Sequence, residues 1–247
     1  KYTKELCDRI MRFVFCTVWL FVLGACANQI TLRSGIKNVG LDPSYPEKES
    51  IRAMIQPFSD SLSAQMGEII GRADTSFDLA YPNSNLMNWA ADALLQQETQ
   101  AVKMREPVVV LLNAGGLRSS LNRGNITVGD LFKLMPFDNV VAWVRLPVQC
   151  LPEIEKNLAQ QAKGVALANA RFEKGKFIVQ NLLPEHTHIT FITSDYLVFG
   201  GDNMQFFMQP GSTEPPTITQ RNLRDVLINA VKQQGTLLNR TEKRYIP

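Results

Sequence analysis

Five consecutive apolar residues, Val108 to Leu112, stand between Pro107 and a turn carrying Asn113, Gly115, Gly116 and Arg118. A short apolar run without alternation is the pattern of a strand covered on both faces. Such a strand needs a layer on each side, which points to an α/β architecture and away from an all-β barrel. Just upstream, Leu86, Trp89, Ala90, Ala93 and Leu94 recur at helical spacing, and Ser84 or Asn85 can cap a helix running to about Gln100. Helix followed by buried strand predicts an α/β (α+β) fold: a mixed β-sheet with flanking helices.

The rest of the chain extends that pattern. Ile51, Ile55, Phe58, Leu62, Met66 and Ile69 predict a helix kinked or restarted near Pro57 and ended by Gly71, with a strand from Phe77 to Tyr81 after it. Thr127-Val-Gly-Asp130 is a helix-start signature, and Pro136 to Asn139 is a turn. Val140 to Leu146 reads as a strand. Leu151 to Lys163 reads as an amphipathic helix stopped by Gly164. Ala166–Phe172 and Lys176–Gln180 form an expected hairpin, and His188 to Thr193 a strand feeding a second Gly-rich turn, Asp195 to Asn203. Thr219 is the expected cap of a last helix through Gln234, and a polar tail runs to Pro247.

At the amino end, Phe13 to Ala25 is an apolar run preceded by Arg12, too short for an ordinary membrane span. It ends in Leu23-Gly24-Ala25-Cys26, which resembles the lipobox of bacterial lipoproteins. That resemblance implies cleavage before Cys26 and lipidation of its thiol; a plain amino-terminal membrane helix is the competing reading. Ala27 is not acidic, which in a Gram-negative cell favours an outer-membrane anchor facing the periplasm. Residues 27–50 then form a tether and residues 51–247 the domain. Cys7 and Cys16 leave with the leader, so Cys150 stands alone and reads as a small core residue. The net charge of +3, with no Lys/Arg run of five, argues against a nucleic-acid partner and allows a small anionic ligand.

Four separated segments carry a more specific signal. Asn85 to Ala93, Asn113-Ala-Gly-Gly-Leu-Arg118, Gly124 to Asp130 with Leu134-Met-Pro-Phe-Asp-Asn139, and Tyr196-Leu-Val-Phe-Gly-Gly-Asp202 occur in order. Together they resemble the C-terminal, substrate-binding domain of the 5′-nucleotidase and UDP-sugar hydrolase family. In that family this domain holds the nucleoside, while a metallophosphoesterase domain holds two metals and cleaves the phosphate. The resemblance implies that Phe137 and Tyr196 stack on the base, and that Asn139 and Asp202 hydrogen-bond base and ribose hydroxyls. Asn113 and Arg118 would face the ribose and phosphate side. Aromatic stacking on a base adds about 1–3 kcal/mol, and an Arg fork suits phosphate oxygens.

Two departures modify this. Where the family grips phosphate with arginine, this chain reads Ala80-Tyr81-Pro82-Asn83, which favours nucleoside or weak nucleotide binding. Asn203 replaces a glycine at an expected left-handed position, one that Asn tolerates. The chemistry of cleavage is a separate question. A two-metal site needs several His, Asp and Asn ligands, and the 247 residues contain two histidines, His186 and His188, read here as a strand-end pair. No catalytic residue, cofactor or metal ligand is assigned to this chain; divalent metals are expected in a partner metallophosphoesterase. The expected function is the nucleoside- or nucleotide-binding half of a split 5′-nucleotidase in nucleotide catabolism. The alternatives are a non-catalytic nucleoside-binding lipoprotein, or an interaction protein with a degenerate pocket.

Overall fold

The computed structural model describes Met11 and residues 47–100, 105–208 and 214–247. Apart from Met11, the expected leader lies outside the described residues, as does Cys26. Ser50 to Pro247 form one compact unit.

The centre is a five-stranded mixed sheet. Its strands are β2 (Val108–Asn113), β4 (Val140–Pro147), β5 (Val165–Ala168), β8 (His188–Ser194) and β9 (Thr217–Asn222), in the order β5-β2-β8-β4-β9. β2 runs parallel to β8 and antiparallel to β5, and β4 is antiparallel to both β8 and β9. As its composition demands, β2 is covered twice. Val108, Val110 and Leu112 enter one core with helices α2 (Asn85–Thr99) and α6 (Leu223–Gln234). Val109 and Leu111 enter the other, with helix α4 (Leu151–Leu158), the hairpin β6 (Ala170–Glu173) and β7 (Lys176–Val179), and the aromatic pair Phe206 and Phe207. Each fully buried Leu or Phe contributes roughly 1.5–3 kcal/mol relative to exposure.

Several expectations are refined. Ser84, not Asn85, caps α2, its hydroxyl accepting from Met87 N. Asn85 instead pins the preceding loop through Asp78 N and Ser76 O. The Thr127–Asp130 signature is a full capping box at the start of helix α3 (Val128–Leu134). α4 stops at Leu158, short of the expected Lys163.

Other expectations are corrected. Helix α1 (Glu49–Met66) runs uninterrupted through Pro57 and ends at Gly67, whose N–H reaches Ser63 O; Ile69 is already in strand β1 (Ile69–Ala73). β1 pairs with β3 (Gly124–Thr127), whereas Phe77 makes a lone bridge to Leu121. Gly71 is not a stop but a contact point, since a Cβ there would lie 2.6 Å from Val231 and 2.9 Å from the Gly235 carbonyl. The segment Ala166–Phe172 is two strands in two sheets, broken at Asn169 (φ 56°), whose side-chain amide donates to Val108 O. Thr217 to Asn222 form β9, so Asn222 caps α6 in place of Thr219.

The last correction concerns the tail. Strand β10 (Tyr245–Ile246) adds to β6, and Tyr245 is buried against Phe172 with its hydroxyl donating to Leu158 O and Gln161 O. Arg244 forks onto Asp92 of α2 and also donates to Leu167 O. No described helix is long and apolar enough to cross a membrane.

Candidate functional site

The polar turns flagged in the sequence converge because the sheet brings strand ends together. β2 and β8 run in parallel, so Asn113 and Ser194 finish on one edge; β4 begins there, opposite Ser194. Open α/β sheets commonly present binding groups at this carboxyl edge.

Three expected residues form one hydrogen-bonded cluster. Asn113 Nδ2 donates to Asp202 Oδ2 at 2.7 Å, and the Tyr196 hydroxyl donates to Asp202 Oδ1 at 3.0 Å. Tyr196 lies in the one-turn helix α5 (Asp195–Val198), capped by Ser194. Its ring rests against Gly201, where a Cβ would fall 2.4–2.6 Å from the ring carbons. The hydrogen bond to Asp202 raises the phenol above its ordinary pKa of 10.0, with burial adding to the effect, so the proton stays on oxygen.

The Gly-rich loop is held in an unusual backbone shape. Gly200, Asp202 and Asn203 all have positive φ, at 87°, 50° and 60°, which Asp and Asn tolerate better than most residues. Its carbonyls are fastened from the flank: Gln161 Nε2 donates to Asp202 O, and Asn157 Nδ2 to Asn203 O. A conformation costing of order 1–3 kcal/mol per residue persists where neighbours over-determine it.

The other three expected residues lie on neighbouring turns. The backbone N–H of Arg118 donates to Leu134 O, finishing α3, while its guanidinium is exposed and unpaired among the described residues. Phe137 is 44% exposed, as is Tyr196. Asn139 uses its carbonyl to receive Leu223 N, and its side-chain amide has no partner among the described residues. Asp195 links the two aromatic turns, its Oδ1 accepting from both Val140 N and Tyr196 N.

Sequence reasoning missed Arg224. From the first turn of α6 it donates to Met135 O at 3.1 Å, Phe137 O at 3.4 Å and Asp138 Oδ1 at 2.7 Å, and it stacks 4.0 Å from the Phe132 ring centre. It therefore shapes the turn that presents Phe137. A signal existed: a cation in the first turn of a helix opposes the macrodipole, so another partner must hold it there.

The histidines lie at other positions. His186 sits in the turn before β8 and accepts from Leu183 N; His188 begins β8, beside Arg145 and Thr187. Among the described residues no group of three or more His, Cys, Asp or Glu is arranged to hold a metal ion. Cys150 is half-buried rather than fully buried, and desolvation raises its thiol pKa, which disfavours the nucleophilic thiolate. A cavity of about 730 Å³ lies between α2, the β6–β7 hairpin and the tail, and none of the six expected residues lines it. Of those six, Asn113, Tyr196 and Asp202 are joined by hydrogen bonds, and Arg118, Phe137 and Asn139 lie on other turns.

Known proteins resemble this chain in sequence and in fold. Residues 69–147 match the family described as 5′-nucleotidase, C-terminal domain. The chain is 25% identical over 140 residues to the trifunctional nucleotide phosphoesterase protein YfkN of Bacillus subtilis, covering 54% of this chain and 9% of that protein. It is 32% identical over 111 residues to the apyrase of Tabanus yao, covering 42% of this chain and 20% of that protein. Its fold is shared with the 5′-nucleotidase precursor from Thermus thermophilus, at a TM-score of 0.64, 17% identity, 81% of this chain and 43% of that one. It is shared also with the NAD nucleotidase of Haemophilus influenzae, at a TM-score of 0.60, 15% identity, 85% of this chain and 43% of that one. The chain thus spans a fifth or less of these curated relatives and under half of these solved chains.

Proposed function

We infer that this chain, whose residues 69–147 match the 5′-nucleotidase C-terminal domain family, binds a nucleoside or nucleotide and presents it to a separate metallophosphoesterase. The observation that carries the reading is the hydrogen-bonded cluster of Asn113, Tyr196 and Asp202. Asp202, braced by Asn113 and Tyr196, offers acceptors beside the half-exposed Tyr196 ring, while the half-exposed Phe137 and Arg118, whose guanidinium is unpaired among the described residues, stand on other turns. Phe137 and Tyr196 supply stacking for a base, Asn139 a donor and acceptor, and Asp202 acceptors for sugar hydroxyls. Arg118 is the one cation among the six, which suits a single, weakly held phosphate.

The cavity beside the tail is a poorer candidate because central polar groups of its lining are engaged with one another: Trp89 with Gln234, and Asp92 with Arg244. Hydrolysis belongs to the partner in this reading, since His186 and His188 are each engaged in hydrogen bonds with residues outside the Asn113–Tyr196–Asp202 cluster. A lipid on Cys26 would hold the assembly at the outer membrane, facing the periplasm; radiolabelled fatty acid incorporated by wild type and not by Cys26→Ser tests that part separately.

Titration calorimetry with adenosine, AMP and UDP-glucose tests the binding. Phe137→Ala and Tyr196→Ala are each expected to weaken it by about 1–3 kcal/mol. Equal weak heats in wild type and both variants would overturn the assignment. Adding the chain to a metallophosphoesterase partner is expected to raise AMP hydrolysis above that of the partner alone, and no increase would remove the split-enzyme reading.

A further inference from the structure

We propose that the Tyr196 hydroxyl is a specificity-determining positioning group, which presets the Asp202 carboxylate for a ligand bearing a vicinal cis-diol and so selects ribosides over their deoxy counterparts. The inference rests on the nucleoside-binding reading above and adds a role that stacking alone does not give Tyr196.

The argument begins with what holds Asp202. Its side chain is exposed, on a residue at φ 50°, yet each carboxylate oxygen already accepts one bond: Oδ2 from Asn113 and Oδ1 from Tyr196. An ionised carboxylate has about four acceptor positions, so roughly one remains on each oxygen. Two donors bound to different oxygens fix the plane of the group. The remaining positions, one per oxygen, then match a pair of adjacent hydroxyls, each donating to its own oxygen. In Tyr196→Phe, Oδ1 loses its anchor and the single remaining bond, from Asn113 to Oδ2, no longer fixes the plane of the carboxylate.

The ring is placed to perform both tasks. Gly201 lets it lie flush against the loop, because any side chain there would meet the ring within 2.4–2.6 Å. The same hydrogen bond therefore orients the ring for a base and the carboxylate for a sugar. Loop position is secured independently by Gln161 and Asn157, so removing the hydroxyl alters the carboxylate while leaving the backbone held. The phenol is kept protonated by Asp202, so the donor persists through neutral pH.

The test compares adenosine with 2′,3′-dideoxyadenosine by titration calorimetry, on wild type, Tyr196→Phe and Asp202→Asn. Wild type is expected to prefer adenosine. Tyr196→Phe should lose about tenfold for adenosine and less than about twofold for the dideoxy compound, since only the diol uses the charged acceptor. Asp202→Asn should abolish the preference while the dideoxy compound still binds. Equal loss for both ligands in Tyr196→Phe, or no loss for either, would overturn the proposal and leave the binding site standing. Failure of wild type to bind either compound would overturn the site and the proposal together.

Discussion

Asn113 and Asp202, 89 positions apart in sequence, meet through a 2.7 Å hydrogen bond that joins the two Gly-rich turns. Each turn follows a strand of the parallel pair β2 and β8. The bond therefore exists only once those strands are in register, and the candidate site is a product of sheet assembly rather than of either turn alone.

Gly201→Ala tests how tightly that arrangement is drawn. The new methyl would occupy space filled by Tyr196 ring carbons, so the ring must leave Asp202. Because the ring is already 44% exposed, it can move outward, and stability should fall by about 1 kcal/mol, the low end for overpacking. Nucleoside affinity should fall about tenfold through lost stacking. Unchanged affinity by calorimetry would show that the ring position does not matter.

Arg224 is expected to matter more than its ion pair implies. Asp138 is 84% exposed in its side chain, so Asp138→Asn should cost under about 1 kcal/mol. Arg224→Ala also removes the donors to Met135 O and Phe137 O and the contact with Phe132, and should cost about 2–3 kcal/mol. Urea denaturation distinguishes the two. Arg224→Ala should weaken nucleoside binding as well, through a disordered Phe137 turn.

The tail gives a third prediction. Tyr245→Phe leaves the carbonyls of Leu158 and Gln161 without their phenol donor and should cost about 1–2 kcal/mol. Tyr245→Ala also removes the stack on Phe172 and should cost about 3–5 kcal/mol. Equal destabilisation by the two changes would contradict this packing.

A pH effect follows from Glu106. Hydrogen bonding from Arg145 holds its carboxyl below the ordinary value of 4.5, opposed by partial burial. A depressed folded-state pKa adds stability above the unfolded value that is lost as pH falls through the folded one. Glu106→Gln should therefore destabilise at neutral pH and flatten the decline in stability below pH 4.5. Parallel melting curves for wild type and variant across that range would contradict the assignment.

Local chemistry was legible and long-range contact was not. Val108–Leu112, the Thr127–Asp130 capping box and Gly235 as the end of α6 each announce themselves within a few residues. β1 did not, because Ile69 continues the helical spacing of Leu62 and Met66, and what makes it a strand is pairing with β3, far along the chain. Thr219 looked like a cap until β9 found its place beside β4. Tyr245 sits among Lys and Arg, and only the β6 edge and Phe172 give it somewhere to be buried. At the site, the turns bearing Asn113, Phe137 and Tyr196 were readable from their Gly, Pro and Asn residues. That the Asn113 and Tyr196 groups would spend their first hydrogen bonds on Asp202 depended on the fold.

Because successive residues of β2 belong to opposite cores, the two cores share a single wall, Val108 to Leu112. Opening either side exposes alternate side chains of that wall and loosens the strand on which the other side is built. Ser50 to Pro247 should consequently melt in one transition despite its size, with the β2 amides exchanging their hydrogens only through global unfolding.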